Sequence, residues 1–321
     1  YNRILLPDLI SGECSWPSMQ TASEPALAQA NITFYPGRPI TAIHRKGRFI
    51  VDSSGERHAY DKLVLATGSQ PQRPQECPKD MPGLFTLRTR ADADAVMDFV
   101  RPGTRCVVVG GGLLGLELVA ALRELGAACR LIHRSGQLMG RQLDGTASQF
   151  LAEELEDRGD TLHFNDSIAS IHGAARVEGV RTQNGSYYSC DAVFFATGTT
   201  PNIALARNAS LPCRQGVLVD DGMCTVDPDI YAIGEIAEHA HRCYGTTPAA
   251  QAQALVAAAQ IAGDTWQRYN GSMSFNVLKL KGLALCTMGD AGADTSVPGY
   301  EEIVLLDRSE RLYQKCIVYK N

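Results

Sequence analysis

Three glycines spaced as G-x-G-x-x-G, Gly110, Gly112 and Gly115, stand inside "VVVGGGLLGLELVAALRELGAA", residues 107–128. An apolar strand pattern precedes them and a helix pattern of small and apolar residues follows. In such a turn Gly110 offers a backbone free to take positive φ, and Gly112 leaves room where a side chain would block a pyrophosphate. Gly115 lets the helix pack closely on its strand, and the helix amino end stabilises negative charge. The loop, with Gly111, Leu113 and Leu114 between those glycines, is expected to hold a dinucleotide. Some 20 residues on, where an acid would bind the ribose 2′-hydroxyl of NAD, "LIHRSG" supplies His133 and Arg134. Two readings of Arg134 stand side by side: it faces the 2′-phosphate of NADP, or it is a solvated loop residue in an NAD site that lacks its acid.

Other segments could meet a ligand. "DKLVLATGSQP" (61–71) and "DAVFFATGTTP" (191–201) each end a buried strand in a small-residue turn, which puts Thr67, Gly68, Thr197 and Gly198 where doubly wound sheets bind. "TVDPDIYAIGEIAEH" ends another apolar strand at Gly234 and Glu235, an acid that can accept hydrogen bonds from a polyol or ribose. Next comes "YGTTPAAQAQALVAAAQIAG". Pro248, placed at the first helical position after Thr247, gives a helix whose amino end carries unpaired N–H groups and a positive dipole. Such an end suits an anionic ring system. "EHAHRC" (238–243) has a superficial metal-ligand look, but its spacing fits no recurrent zinc pattern, and a polar loop is expected. His44, His133, His163 and His172 lie on or beside strands without a partner at fixed spacing. No Ser/His/Asp or Cys/His arrangement stands out for nucleophilic catalysis.

The elements that must position these residues come twice. The two A-T-G stretches share D-x4-A-T-G-x2-P at an offset of 130 residues, and upstream "ITAIH" (40–44) and "IASIH" (168–172) recur at 128, each before a hairpin turn, Ser54-Gly55 and Asn184-Gly185. The second copy reads strand, glycine loop, helix, strand, helix, strand, hairpin, strand, a doubly wound unit. Projecting its loop back by that offset puts the first copy's loop before Tyr1. The expected fold is α/β: two doubly wound nucleotide-binding domains, the first lacking its N-terminal βαβ, plus the start of a C-terminal sheet domain.

The 321 residues, 45% hydrophobic with a net charge of −5, can bury a substantial core. Without a Lys/Arg stripe, and with a pI near 5.8, there is no electrostatic footprint for nucleic acid or an anionic membrane. "YNRILLPDLISGE" lacks the regions of a signal peptide, so a cytoplasmic protein is expected. Ten scattered cysteines include no C-x-x-C, and idle thiols are expected, with no metal, cluster or redox disulfide.

Taken in order, "YNRILLPDLISGE", "YDKLVLATGSQP", "FTLRT", "VVVGGGLLGLE", "FATGTTPN", "DPDIYAIGEIAEH" and "YGTTPAAQAQA" resemble the FAD-dependent pyridine nucleotide oxidoreductases with two dinucleotide-binding domains. Within them the chain most resembles the reductase portion of the assimilatory NAD(P)H-nitrite reductase large subunit. The resemblance implies that Arg3 and the backbone of Ile40 contact FAD, with Thr67, Gly68 and Arg88 near it. It puts Glu235 at the ribityl or phosphate region and Thr247 beside the isoalloxazine. Gly110–Gly115 would hold NADH or NADPH, NADH being the donor the family suggests, and Glu117 would lie near the nicotinamide. It further implies an FAD-binding domain over 1–101 and 222–271, an NAD(P)H-binding domain over 102–221 and an interface domain beginning at 272. Electrons would pass to iron–sulfur and sirohaem domains or an acceptor protein, and a homodimer is an expectation. Ile4 stands where coenzyme A disulfide reductases carry their redox cysteine, which argues against thiol–disulfide chemistry. A rubredoxin or ferredoxin reductase, or a nucleotide-binding module without turnover, are the alternatives.

Overall fold

The computed structural model describes residues 1–74, 77–78, 81–289 and 295–319; parts of the expected interface segment 272–321 therefore lie outside the described residues. The fold is α/β. The chain folds into two compact units, Tyr1–Thr21 with Pro71–Gly198 and Ser274–Asn321, and Ala22–Gln70 with Thr199–Met273.

Unit 1 is built on a five-stranded parallel sheet. Its spatial order is Leu84–Phe85, Ala192–Phe195, Arg105–Val109, Ala128–Ile132, Thr161–His163. The central strands are continuous apolar runs, "AVFF" buried throughout and "RCVVV" buried after its first residue, as expected where both faces are covered. One face carries Val108, Phe194 and Ala192 against Leu116, Val119 and Leu122 of the helix Leu113–Glu124 and Val96 of the helix Arg90–Phe99. The other carries Val107, Val109, Val193 and Phe195 against Val177 and Val180. Capping fixes where helices begin: Thr89 accepts from the N–H of Asp92 while the Asp92 side chain accepts from that of Thr89, and Asp144 caps Gly145–Asp157 through Ala147. From Arg105–Val109 the chain winds one way to Thr161–His163, then returns to the opposite side at Ala192–Phe195. The carboxyl ends of these two neighbours form a topological switch point.

Unit 2 holds the parallel pair Leu63–Leu65 and Ile230–Ala232, a sheet of Val217–Val219, Ala237–His239 and Arg242–Cys243, and the helix Thr247–Ile261. Its core gathers Leu65, Val217, Ile230, Ala232, Val256 and Tyr269.

The internal repeat extends to local irregularities. Each unit has a three-stranded antiparallel meander, Ile40–His44 with Phe49–Asp52 and Arg57–Ala59, and Ile168–His172 with Gly179–Thr182 and Tyr187–Ser189. In the first the register slips between Ile40 and Ala42, in the second between Ile168 and Ser170. The turn glycines, Gly55 and Gly185, sit at φ of 87° and 86°.

Candidate dinucleotide sites

At the switch point of unit 1 the three glycines have different surroundings. Gly110 takes φ 117°, and a Cβ there would stand 2.4 Å from the Ala196 carbonyl oxygen. A Cβ on Gly115 would stand 1.9 Å from the Gly110 oxygen, so the helix lies directly on the loop that precedes it. Gly112, at φ −90° and ψ −179°, would direct a Cβ into space with nothing within 4 Å. It is also the N-cap of Leu113–Glu124 and offers no side-chain cap, which leaves the first-turn N–H groups free for an anion. Leu113 and Leu114 open that helix, Leu114 being exposed. Packing thus requires glycine at 110 and 115, while the space in front of Gly112 is open, as a pyrophosphate there would need.

Gly111 links this loop to the next strand. Its N–H donates to His133 Nδ1 at 3.0 Å and its carbonyl accepts from Met139 N–H at 2.8 Å. His133 Nε2 lies 3.1 Å from the Gln137 carbonyl and 2.9 Å from Ser135 Oγ. Burial holds the imidazole below its ordinary pKa, so the neutral tautomer with its proton on Nε2 matches these partners. Both ring nitrogens are therefore engaged by protein. What remains at the ribose position is Arg134, exposed and without an ion-pair partner among the described residues.

Across the switch point, Thr197 Oγ1 donates to the Gln72 carbonyl at 3.0 Å, and the Gly198 carbonyl accepts from Gln72 N–H at 2.9 Å. One turn into the glycine-loop helix, Glu117 is 6% exposed. Its Oε1 accepts from the backbone N–H of Lys279 at 3.3 Å. Lys279 Nζ lies 3.1 Å from Asp8 Oδ2 and 3.5 Å from the Ile4 carbonyl. Burial lifts the Glu117 carboxyl to about 7, against the pull of the Lys279 N–H and charge, so this acid changes charge near neutrality.

The residues implied for FAD fall into both units. In unit 1, Arg3 begins the short 3-10 turn Arg3–Leu5 and is exposed, while half-buried Arg88 donates its backbone N–H to Asp92 Oδ2 at 2.9 Å. In unit 2, Ile40 starts its strand, Thr67 Oγ1 donates to the Asn202 carbonyl at 3.1 Å, and Gly68 takes φ 64° while its carbonyl accepts from Asn202 N–H. Gly234, at φ 74°, opens the 3-10 turn Gly234–Ile236 that carries half-buried Glu235. The following helix begins at Thr247 with Pro248 second, one position from the sequence expectation, because extended Thr246 is the N-cap. Thr246 makes no side-chain cap, so the first-turn N–H groups take no acceptor from it. A Cβ at Gly245 would touch nothing within 4 Å, and one at Gly234 only the Ala250 Cβ at 3.6 Å. These donors, the acid and the bare glycines fit a flavin dinucleotide.

"EHAHRC" is spent on internal bonds: Glu238 Oε2 accepts the N–H groups of Gln215 and Gly216 at 2.9 and 3.0 Å, His239 pairs with Asp221 at 2.8 Å, and His241 with Arg214 at 2.7 Å. Sequence reasoning missed a different cluster, Asp52, Glu56 and His58, whose donor atoms lie within 4.8 Å of one another. Arg38 occupies its charge, 3.5 Å from Asp52 and 2.5 Å from Glu56. It also missed Lys279 and Gln253, neither of which carries a motif. No disulfide joins any of the ten cysteines, and Cys106 and Cys129 stand opposite each other on neighbouring strands.

The family described as pyridine nucleotide-disulphide oxidoreductase matches residues 8–254. The chain is 34% identical over 305 residues to the assimilatory nitrate reductase electron transfer subunit of Bacillus subtilis, covering 94% of this chain and 40% of that one. It is 34% identical over 314 residues to the nitrite reductase (NADH) large subunit of Escherichia coli, covering 95% and 37%. The chain thus spans about two fifths of the length of these curated relatives. Among solved structures, a ferredoxin reductase from Rhodopseudomonas palustris superposes with a TM-score of 0.88 at 25% identity, covering 98% of this chain and 78% of its own. No helix among the described residues is long and apolar enough to cross a membrane.

Proposed function

Because the chain belongs to the pyridine nucleotide-disulphide oxidoreductase family, we propose that it is an FAD-dependent NAD(P)H oxidoreductase of the cytoplasm. It takes hydride from a reduced nicotinamide and passes electrons to an iron–sulfur and sirohaem partner in nitrite reduction. The observation that carries this reading is the empty space in front of Gly112 in a loop whose other three glycines, Gly110, Gly111 and Gly115, are closed by packing. A turn kept only for packing has no need of a glycine that touches nothing.

When bound, FAD supplies the hydride acceptor and the exit for electrons. The chain's own residues bind and orient. The N–H groups behind Gly112 hold the nucleotide pyrophosphate, with Gly111, Thr197 and Gly198 shaping the cleft and Glu117 toward the nicotinamide. His133 holds the loop in place. Ile40, Thr67, Gly68, Gly234, Glu235 and Thr247, with Arg3 and Arg88, form the flavin set that the family resemblance implies. No acid or base is required for hydride transfer itself, and thiols take no part. The division into an FAD-binding domain (1–101 and 222–271), an NAD(P)H-binding domain (102–221) and an interface domain from 272, with a homodimer as the assembly, belongs to the same proposal.

The visible spectrum of the purified chain, with FAD added, tests the reading. A bound flavin that NADH or NADPH bleaches without oxygen supports it, and a chain that binds nucleotide but never flavin reduces it to a binding module. A second reading, a ferredoxin-type reductase, is favoured by the larger share of the Rhodopseudomonas palustris reductase that the chain covers. Relative rates toward a ferredoxin and toward a sirohaem partner separate the two.

A further inference from the structure

Gln253 stands six residues past the start of the helix Thr247–Ile261 and is 0% exposed. Its Oε1 accepts the N–H of Gly234 at 2.7 Å. Only the oxygen end of the amide can meet an N–H, so this contact fixes the orientation of the side chain. Its Nε2 is buried too, toward Tyr269, whose hydroxyl donates to Ser272 Oγ at 2.8 Å. The bond reaches the backbone where it leaves the preceding strand: Gly234 sits at φ 74°, and the next residue is Glu235. Losing the acceptor would leave a backbone N–H unsatisfied beside a fully buried side chain, a larger loss than a surface hydrogen bond.

We infer that Gln253 is a positioning residue that locks the Gly234–Glu235 turn to the helix beginning at Thr247, so that the acid and the helix amino end present one fixed surface to the flavin. This rests on the flavin reading above, and the test separates the two. In the unaltered chain the Gly234 amide should exchange with deuterium as slowly as those of Ile230–Ala232, although it lies in a half-exposed turn. Fast exchange there overturns the inference without any variant. In Gln253→Met, of similar volume but without an acceptor, exchange at Gly234–Ile236 should rise at least tenfold and FAD should bind at least tenfold more weakly, with NADH affinity unchanged. Gln253→Glu, which retains an oxygen acceptor, should restore most of the protection. Unchanged exchange in Gln253→Met removes the lock. Faster exchange with unchanged FAD affinity removes the positioning role, whereas an unaltered chain that binds no FAD overturns the flavin reading and leaves the lock to the exchange data.

Discussion

A methyl group added at Gly112 would enter open space from an ordinary extended backbone, whereas at Gly115 it would lie 1.9 Å from the Gly110 carbonyl. Gly112→Ala should therefore weaken NADH and NADPH binding about tenfold or more, roughly 1.4 kcal/mol, and leave the ligand-free melting temperature within a degree or so. Gly115→Ala should instead lower the melting temperature. Calorimetric titration alongside thermal melts checks both. Arg134→Ala should weaken NADPH by about 1.5 to 3 kcal/mol, the loss of a charge-assisted hydrogen bond, and spare NADH; an equal effect on both donors rejects a 2′-phosphate contact. Glu117 supplies a pH signature. Burial raises its carboxyl from 4.5 to about 7, so the folded state prefers the proton. The stability this confers is complete below pH 4.5 and is lost as pH rises through 7, by about 3 kcal/mol at most. Glu117→Gln should thus melt higher than the unaltered chain at pH 8 and no higher at pH 4. The glycines of the loop were legible from their spacing, and Gly110 and Gly115 have a steric role that no other residue fills. The engagement of His133 was not, since a histidine two dozen residues from a glycine loop announces no hydrogen bond to it.

At the scale of elements, the sequence conveyed strands and turns well where composition is extreme. "VFFATG" ends a strand that is buried throughout, whereas in "LVLATG" only Leu65 is buried and Val64 is exposed; the shared offset of the meanders extends to a shared register slip. The start of the helix at Thr247 moved by one position because Thr246, with extended φ and ψ, makes the better N-cap. Lys279 was invisible: it lies on the hairpin Phe275–Leu280/Leu283–Met288, and its bond to Glu117 joins residues 162 positions apart. Strand packing also ranks the thiols. Cys106 and Cys190 are buried in the parallel sheet and beside it, and burial lifts Cys190 to about 12, while Cys286 is exposed on that hairpin and Cys316 on a second one, Tyr300–Asp307/Leu312–Tyr319. Timed alkylation read by mass spectrometry should label Cys286 and Cys316 first and Cys106 and Cys190 last. NAD(P)H-dependent dye reduction should survive the early labels, because the proposed hydride path uses no thiol.

At the scale of the whole molecule, residues 1–21 belong to the unit that carries the glycine loop. The reason is packing: Leu6, Ile10 and Met19 are buried in the same cluster as Val96, Leu116 and Leu122. A short apolar stretch such as "ILLPDLI" declares that some of it will be buried, here Leu6 and Ile10 while Ile4 is exposed, but not against what. Saturating NADH should raise hydrogen-exchange protection over Gly110–Gly115, residues 133–138 and 196–198 of unit 1, and leave Ile230–Ala232 of unit 2 as it was. Protection spread evenly over both units would count against a nucleotide site confined to the glycine loop.

The chain passes from one unit to the other four times, after Thr21, Gln70, Gly198 and Met273. During synthesis, Leu63 of the second unit's parallel pair must therefore wait for Ile230, and Glu117 for Lys279. At roughly 5–20 residues per second, such waits last on the order of ten seconds or more on the ribosome. Throughout that time the edges of half-built sheets are open to wrong partners, and slow translation or a holding chaperone would matter more to the yield of this protein than to its final stability.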